Sequence, residues 1–468
     1  MFDIFGLIDF IYDGIMGNRE PDNRFAFLLM LFGFFIVIVS KTYLHIKKKQ
    51  AATTWNEPET VPLDDAHGVI FGIKGRKVMI SPEEEEGHIA VFGGSGSGKT
   101  SAVLIPTLQN WQGNFFVVDI SGDIEKNVET EDKFVFNPTI ASNSPYNIFA
   151  GIDELNDHQL QNEALERLSF QLMPIEPTMS DVTLFYTNEG RKILTASLIT
   201  FYHQDYDFVQ ICELINSKSH QSLFSHIERS KNSKAVSYIN SFSGTSKQTI
   251  ASCKQAVETA IHPFISNSCV MKNVRRPVFT EPAFTPAILE EKSVFVCIPD
   301  ELLEQLTPLL RIITAQTLDY FSSRKISSST KTILFCLDEF SSFGKFNIGG
   351  ALRKLRKRKI RIMVLTQSLS DIDLTYEVTE RKALMDNFSY TLVLSARERE
   401  SQLYFSSLIG CHDKVQYSTS RSPTQVTTTE STTRDWIVSP EELSRLGDDL
   451  ILIYEGGFAR LQKNYYFD

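Results

Sequence analysis

Residues 93–100 read Gly93-Gly94-Ser95-Gly96-Ser97-Gly98-Lys99-Thr100, directly after the apolar run His88-Ile-Ala-Val-Phe92. This G-x-x-x-x-G-K-[ST] pattern demands a strand before it and a helix after it. The glycines let backbone N–H groups turn inward around a phosphate. A helix starting near Gly98 adds its positive end to the same place. On this reading Gly93, Gly94, Ser95, Gly96, Ser97, Gly98, Lys99, Thr100 and Ser101 form a cradle for a nucleoside triphosphate such as ATP. Lys99 reaches the β- and γ-phosphates, and the Thr100 hydroxyl ligates Mg²⁺. A flexible Gly-Ser linker is the competing reading. The apolar stretch Ser101-Ala-Val-Leu-Ile-Pro-Thr-Leu-Gln-Asn110 has the look of a helix and argues against it.

A second half of such a site is legible downstream. Thr332-Ile-Leu-Phe-Cys-Leu-Asp338-Glu339 is an apolar strand ending in two carboxylates. Asp338 is placed to hold the metal through water, and Glu339 to polarise an attacking water. The same pair at a strand end can also be no more than a helix cap. The next strand, Arg361-Ile-Met-Val-Leu-Thr-Gln367, ends in a glutamine that can stand near a γ-phosphate or simply occupy a turn. Arg353-Lys-Leu-Arg-Lys-Arg-Lys-Ile-Arg361 is the densest basic run in a chain of net charge −10. It reads as a solvated helix face, as a source of an arginine (Arg353 or Arg356) for a neighbouring subunit's nucleotide, or as a track for a nucleic-acid backbone. The acidic balance excludes a protein that coats nucleic acid over its whole surface. Six scattered cysteines without metal-ligand spacing point to reduced, buried thiols.

Phe25 to Val39 is unbroken apolar sequence. Extended to Ile46 it gives a helix of ~33 Å, which spans a ~30 Å hydrocarbon core. Lys47, Lys48 and Lys49 follow, so the remainder of the chain is expected on the cytoplasmic side. Because the basic residues come after the apolar core, a cleaved signal peptide does not fit. Residues 2–16 interleave apolar residues with Asp3, Asp9 and Asp13, which suits an interfacial amphipathic helix better than a second span. Residues 1–49 thus read as a membrane anchor and 50–66 as a linker.

The remainder reads as α/β with a mainly parallel sheet. Val69–Ile73 and Lys77–Ile80 suggest a hairpin, and Glu83–Glu86 a solvated turn. The buried-strand runs Phe115–Asp119 and Lys133–Phe136 extend a sheet covered on both faces. From about residue 151 to 285 only helical periods are found, over 156–172, 184–202, 208–215 and 250–265. This is read as an all-helical domain inserted between two parts of the sheet domain, residues 67–150 and 286–468. Residues 418–433, rich in Ser and Thr, suggest an exposed ribbon or mobile loop. Leu450–Tyr454 and Ala459–Tyr466 suggest a closing hairpin at the sheet edge.

Taken together the chain resembles the coupling-protein ATPases of type IV secretion and conjugation, the TraG/TraD-type conjugative DNA-transfer family. The matching segments run in order: the apolar N-terminal segment, Gly93–Thr100, Leu104-Ile-Pro-Thr-Leu108, Val117-Val-Asp-Ile-Ser-Gly-Asp123, Phe136-Asn-Pro138 with Tyr146-Asn147, Leu337-Asp-Glu-Phe340 with Phe343-Gly-Lys345, Thr366-Gln-Ser-Leu369 and Ser439-Pro-Glu-Glu-Leu443. The resemblance implies a RecA-like P-loop NTPase that works as a homo-hexamer at the inner membrane with ATP and Mg²⁺. Lys99, Glu339, Gln367 and a trans-acting Arg356 would be its catalytic groups, with Thr100 and Asp338 at the metal. Its partners would be single-stranded DNA, a relaxase or relaxosome and type IV secretion channel proteins. A double-stranded DNA translocase of the chromosome-partitioning type shares the motor, but no basic helix-turn-helix pattern is visible after residue 400. A nucleotide-dependent docking platform for secreted proteins is the third reading.

Overall fold

The computed structural model describes residues 58–130, 132–140, 144–278, 281–422 and 425–467. The expected anchor, residues 1–49, and the first part of the expected linker lie outside them. Among the described residues no helix is long and apolar enough to cross a membrane.

Among the described residues one twelve-stranded sheet organises the fold. Its strands are β1 (Glu59–Val61), β2 (Gly68–Lys74), β3 (Lys77–Pro82), β4 (His88–Phe92), β5 (Phe115–Asp119), β6 (Lys133–Phe136), β7 (Ser293–Cys297), β8 (Ile333–Leu337), β9 (Ile360–Thr366), β10 (Phe388–Val393), β13 (Asp449–Tyr454) and β14 (Gly457–Gln462). Their spatial order is β1-β3-β2-β14-β13-β10-β4-β9-β8-β5-β7-β6. From β10 to β6 every neighbouring pair is parallel. From β10 to β1 every pair is antiparallel.

The parallel strands are buried on both faces, which is why they read as continuous apolar runs. Along β4, Ile89 and Val91 enter one core while Ala90 and Phe92 enter the other; along β5, Phe115 and Val117 part from Phe116 and Val118 in the same way. Phe335 of β8 stacks on Phe116 with ring centroids 5.2 Å apart. Truncating such a ring costs about 3–5 kcal/mol.

Two sequence expectations are revised here. Glu59–Val61, within the stretch read as linker, pairs antiparallel with β3 from Glu59↔Ile80 to Val61↔Val78. The closing hairpin forms, but it is not at the edge. It lies inside the sheet, between β10 and β2. Gly72 permits the close approach of β14: its φ is +157°, and a Cβ there would sit 2.7 Å from the Gln462 carbonyl oxygen.

Between β6 and β7 the chain is helical among the described residues. The longer helices are α2 (His158–Leu172), α3 (Asp181–Tyr202), α4 (Phe208–Ser217), α5 (His220–Ser230), α6 (Ser233–Asn240) and α7 (Lys247–Ile261), numbered after the helix α1 that follows the Gly-rich loop. Each begins with a side chain that caps its free N–H groups: Asp157, Ser180, Asp207, Ser219, Asn232 and Ser246 in turn. A cap of this kind is worth about 1 kcal/mol. The stretch leaves and rejoins the sheet through a narrow neck. There Phe284 N–H donates to the Pro145 carbonyl at 3.0 Å and Tyr146 N–H to the Asn273 carbonyl at 2.7 Å. A long helix, α8 (Leu303–Phe321), then packs beneath the sheet.

The Ser/Thr-rich segment forms a separate two-stranded ribbon, β11 (Cys411–Ser422) against β12 (Gln425–Trp436), in continuous register from Cys411↔Trp436 to Ser422↔Gln425. All six cysteines are unpaired, and Cys212, Cys253 and Cys336 are buried.

Candidate nucleotide site

The Gly-rich loop leaves β4 at the C-terminal edge of the parallel strands. Gly93 N–H donates to the Thr366 carbonyl of β9 at 3.1 Å. On the other side Gly94 N–H donates to Ser395 Oγ, just beyond β10, at 3.2 Å. A turn closed by Ser97 N–H on the Gly94 carbonyl, 3.1 Å, folds the loop back. Gly96 and Gly98 take φ of 72° and 95°, a region that side chains disfavour. The helix α1 then starts at Lys99, π-wound over Lys99–Leu104 and regular over Ile105–Gln109. Such local widening is common at functional sites.

The sequence-predicted residues converge here. Lys99 is buried, and its Nζ donates to the Gly93 carbonyl at 2.9 Å. It stands 3.6 Å from Glu339 Oε1. Thr100 Oγ1 donates to Asp338 Oδ2 at 2.8 Å. Gln367 Nε2 donates to Glu339 Oε2 at 3.3 Å. Glu339 itself is held at φ 49°, a left-handed conformation that costs a non-glycine residue energy and marks functional sites. Burial pushes the Asp338 carboxyl up to about 6, opposed by the Thr100 hydroxyl and the Lys99 charge and reinforced by the charge of Glu339. Lys99, Thr100 and Glu339 border a cleft of about 430 Å³ that also takes in Ser121, Asp123, Tyr466 and Phe467.

Arg356 is elsewhere. It precedes β9 and points its Nε toward Glu86 Oε2 at 3.6 Å, at the N-terminal edge of the strands. The basic run is not one solvated face. Arg361 is fully buried and donates to the Gly87 carbonyl (2.9 Å), the Pro82 carbonyl (2.7 Å) and Ser81 Oγ (2.8 Å). Lys359 Nζ donates to the Thr330 carbonyl at 2.7 Å. Nor is Glu83–Glu86 merely a solvated turn, because Glu85 accepts from Ser81 Oγ at 2.7 Å and from the Tyr390 hydroxyl.

Sequence reasoning missed several supporting groups. Asp371 accepts from Thr366 Oγ1 and Ser341 Oγ, both at 2.8 Å, and so ties the segment bearing Gln367 to the segment after Glu339. Its spacing from Gln367 is a weak signal, because Ser368 N-caps the same turn. Asp119 accepts from Gly122 N–H and Glu125 N–H, both at 2.8 Å, and shapes the loop that carries Ser121 and Asp123. Arg397 and Arg445 are exposed beside Ser95–Ser97. Nothing in their local sequence marks them.

A family model for type IV secretory system conjugative DNA transfer matches residues 64–468. The chain belongs to this family. Among curated members, VirD4 of Rhizobium rhizogenes is 22% identical over 403 residues, covering 82% of this chain and 59% of VirD4. VirD4 of Agrobacterium fabrum gives the same figures. The chain therefore spans less than two thirds of these relatives. Among solved structures, the bacterial conjugative coupling protein TrwBΔN70 superposes with a TM-score of 0.65 at 16% identity, covering 84% of this chain and 88% of that one. TrwB in complex with ADP and Mg²⁺ gives 0.63 at 17% identity over 84% and 89%. TrwB with the non-hydrolysable ATP analogue ADPNP gives 0.62 at 17% identity over 82% and 87%. At these identities the likeness shows a shared fold, RecA-like α/β with a mainly parallel sheet.

Proposed function

We propose that this chain is the ATP-hydrolysing motor of a conjugative DNA-transfer system, anchored in the inner membrane by residues 25–46. One observation carries the reading. Lys99, Thr100 and Glu339 line one cleft, and hydrogen bonds tie Asp338 to Thr100 and Gln367 to Glu339, so residues from three strand ends are brought together. The cleft fits Mg·ATP on its own terms. A Cβ on Gly93 would lie 2.3 Å from Ser97 Oγ and would displace that hydroxyl from the cradle. Ser97 Oγ is buried with no partner, a hydroxyl left over for a phosphate oxygen. Thr100 and Asp338 offer two oxygens side by side, the hard-donor chemistry that Mg²⁺ takes.

In this mechanism Lys99 exchanges the Gly93 carbonyl for phosphate oxygens and neutralises charge as it develops. Glu339, at the mouth of the cleft, takes the proton of the attacking water. Gln367 orients that water and, through the segment tied to Asp371, passes the change to the neighbouring segment. Thr100 and Asp338 would hold Mg²⁺, which would supply Lewis-acid stabilisation of phosphate charge. The one cation inside the cleft is Lys99, among the described residues, so an arginine from a second subunit completes the site in a homo-hexamer. Arg353 and Arg356 are the candidates. The cargo in this reading is relaxase-bound single-stranded DNA delivered to a secretion channel. The helical residues 151–285 would be an inserted domain of the motor.

The test is steady-state phosphate release by the full chain in detergent, with and without single-stranded DNA. Stimulation by single strands over duplex is expected. No hydrolysis in any assembly state would overturn the motor, and strict preference for duplex would favour a double-strand translocase.

A further inference from the structure

After β14 the chain crosses the mouth of the cleft. Tyr466 N–H donates to the Ser101 carbonyl at 3.1 Å, pinning this segment to the first turn of α1. The Tyr465 ring lies over Gly98; a Cβ there would be 3.2 Å from its Cε1. Phe467 stacks on Tyr465 with centroids 5.2 Å apart and planes at 21°, and meets Tyr466 edge-on at 5.1 Å and 77°. Phe467 nevertheless remains 65% exposed, and with Tyr466 it lines the same cleft as the Gly-rich loop. Tyr466 packs against the core on one side, but Phe467 buries too little for core packing to explain an aromatic ring at this place beside a phosphate cradle.

The direction of the phosphates decides what meets these rings. Lys99 and Glu339, the latter just past the end of β8, mark the γ end of the cleft. The nucleoside therefore leaves toward Ser101 and Ile105, where the walls are Ser121, Asp123, Tyr466 and Phe467. We propose that Tyr466 and Phe467 form the stacking platform for the nucleotide base, with Ser121 and Asp123 facing the sugar hydroxyls. This rests on the Mg·ATP reading of the cleft. Stacking recognises the π-face common to all bases and leaves the hydrogen-bonding edge unread. The platform accordingly accepts adenine and guanine nucleotides with similar affinity and favours either over a bare polyphosphate.

The experiment compares Mg·ATP, Mg·GTP and Mg·tripolyphosphate by calorimetric titration of the full chain in detergent. In Tyr466→Ala/Phe467→Ala, ATP and GTP affinity should fall roughly ten- to a hundredfold, while tripolyphosphate affinity stays unchanged. Phe467→Ala alone, at an exposed ring, should fold normally and lose part of that factor. Tyr466→Phe/Phe467→Tyr, which keeps the rings, should retain wild-type affinity. An equal loss for ATP and tripolyphosphate would make the segment a mere brace for the loop and overturn the platform. Unchanged or tighter ATP binding in the double alanine variant would also overturn it. A wild-type chain that binds tripolyphosphate and ATP equally refutes the platform alone; one that binds neither removes the nucleotide site itself.

Discussion

The two edges of the parallel sheet use the same kinds of charged residue in opposite ways. At the N-terminal edge the charges are settled within the chain. Arg361 is sealed on protein oxygens of residues 81, 82 and 87, and its burial pulls it down only to about 10, so it stays charged with Glu85, Glu83 and Glu84 nearby. His88 is equally enclosed, its Nε2 facing the Leu352 carbonyl at 2.9 Å and its Nδ1 accepting from Ile362 N–H at 3.0 Å. At the C-terminal edge the contacts of Glu339 are looser. Lys99 and Glu339 are 3.6 Å apart, Gln367 and Glu339 3.3 Å, and Glu339 is one-third exposed. A closed network fixes the sheet, whereas a loosely paired one can trade its partners for a ligand.

The sharpest way to break this contrast is at the open edge. Lys99→Ala should lower phosphate release on the order of a thousandfold while the circular dichroism spectrum stays native. Glu339→Gln should lose about 10²- to 10⁴-fold in turnover with nucleotide affinity retained, measured by phosphate release alongside calorimetry. Either variant turning over at the wild-type rate would end the assignment.

At the closed edge the effect should appear as stability instead. Arg361→Leu should cost about 3–5 kcal/mol in denaturant unfolding, because it leaves buried oxygens unpaired and the acidic run unopposed. His88 gives a pH signature of similar size. Burial lowers its folded-state value to about 4, against 6.5 for the free side chain. The unfolded chain thus binds more protons between those values, and stability must fall as pH drops through that window, by about 3 kcal/mol at pH 4. His88→Gln, which keeps a donor and an acceptor, should flatten the slope. The smallest effect belongs to Arg356→Ala. Its pairing with Glu86 is partly exposed at 3.6 Å, so the folded chain should lose no more than about 1 kcal/mol. A large loss of hydrolysis with stability intact would instead mark Arg356 as the arginine acting in a second subunit.

Local signals carried most of the fold and the heart of the site. The Gly-rich loop, the Asp338-Glu339 strand end and the buried-strand runs are short-range patterns; the loop follows β4, the two carboxylates follow β8, and the apolar runs are strands. Capping residues such as Asp207 with Gln210 likewise announce their helix in four positions. Part of what sequence reasoning missed depends on partners far along the chain. Glu85 reads as solvated until Tyr390 is brought beside it, and Tyr466 reads as the tail of a hairpin until it meets Ser101. The hairpin of β13 and β14 was read as an edge because its own residues cannot say that β2 will dock on its far side.

The position of β6 has a consequence for biosynthesis. Among the described residues it is an outermost strand whose sole neighbour in the sheet is β7. Phe136 leaves the ribosome long before Ser293 does, and at about 5–20 residues per second the delay is on the order of ten to thirty seconds. Throughout that interval Lys133-Phe-Val-Phe136 has no mate, so the nascent polypeptide carries an unpaired, phenylalanine-bearing segment until the whole helical stretch has been translated.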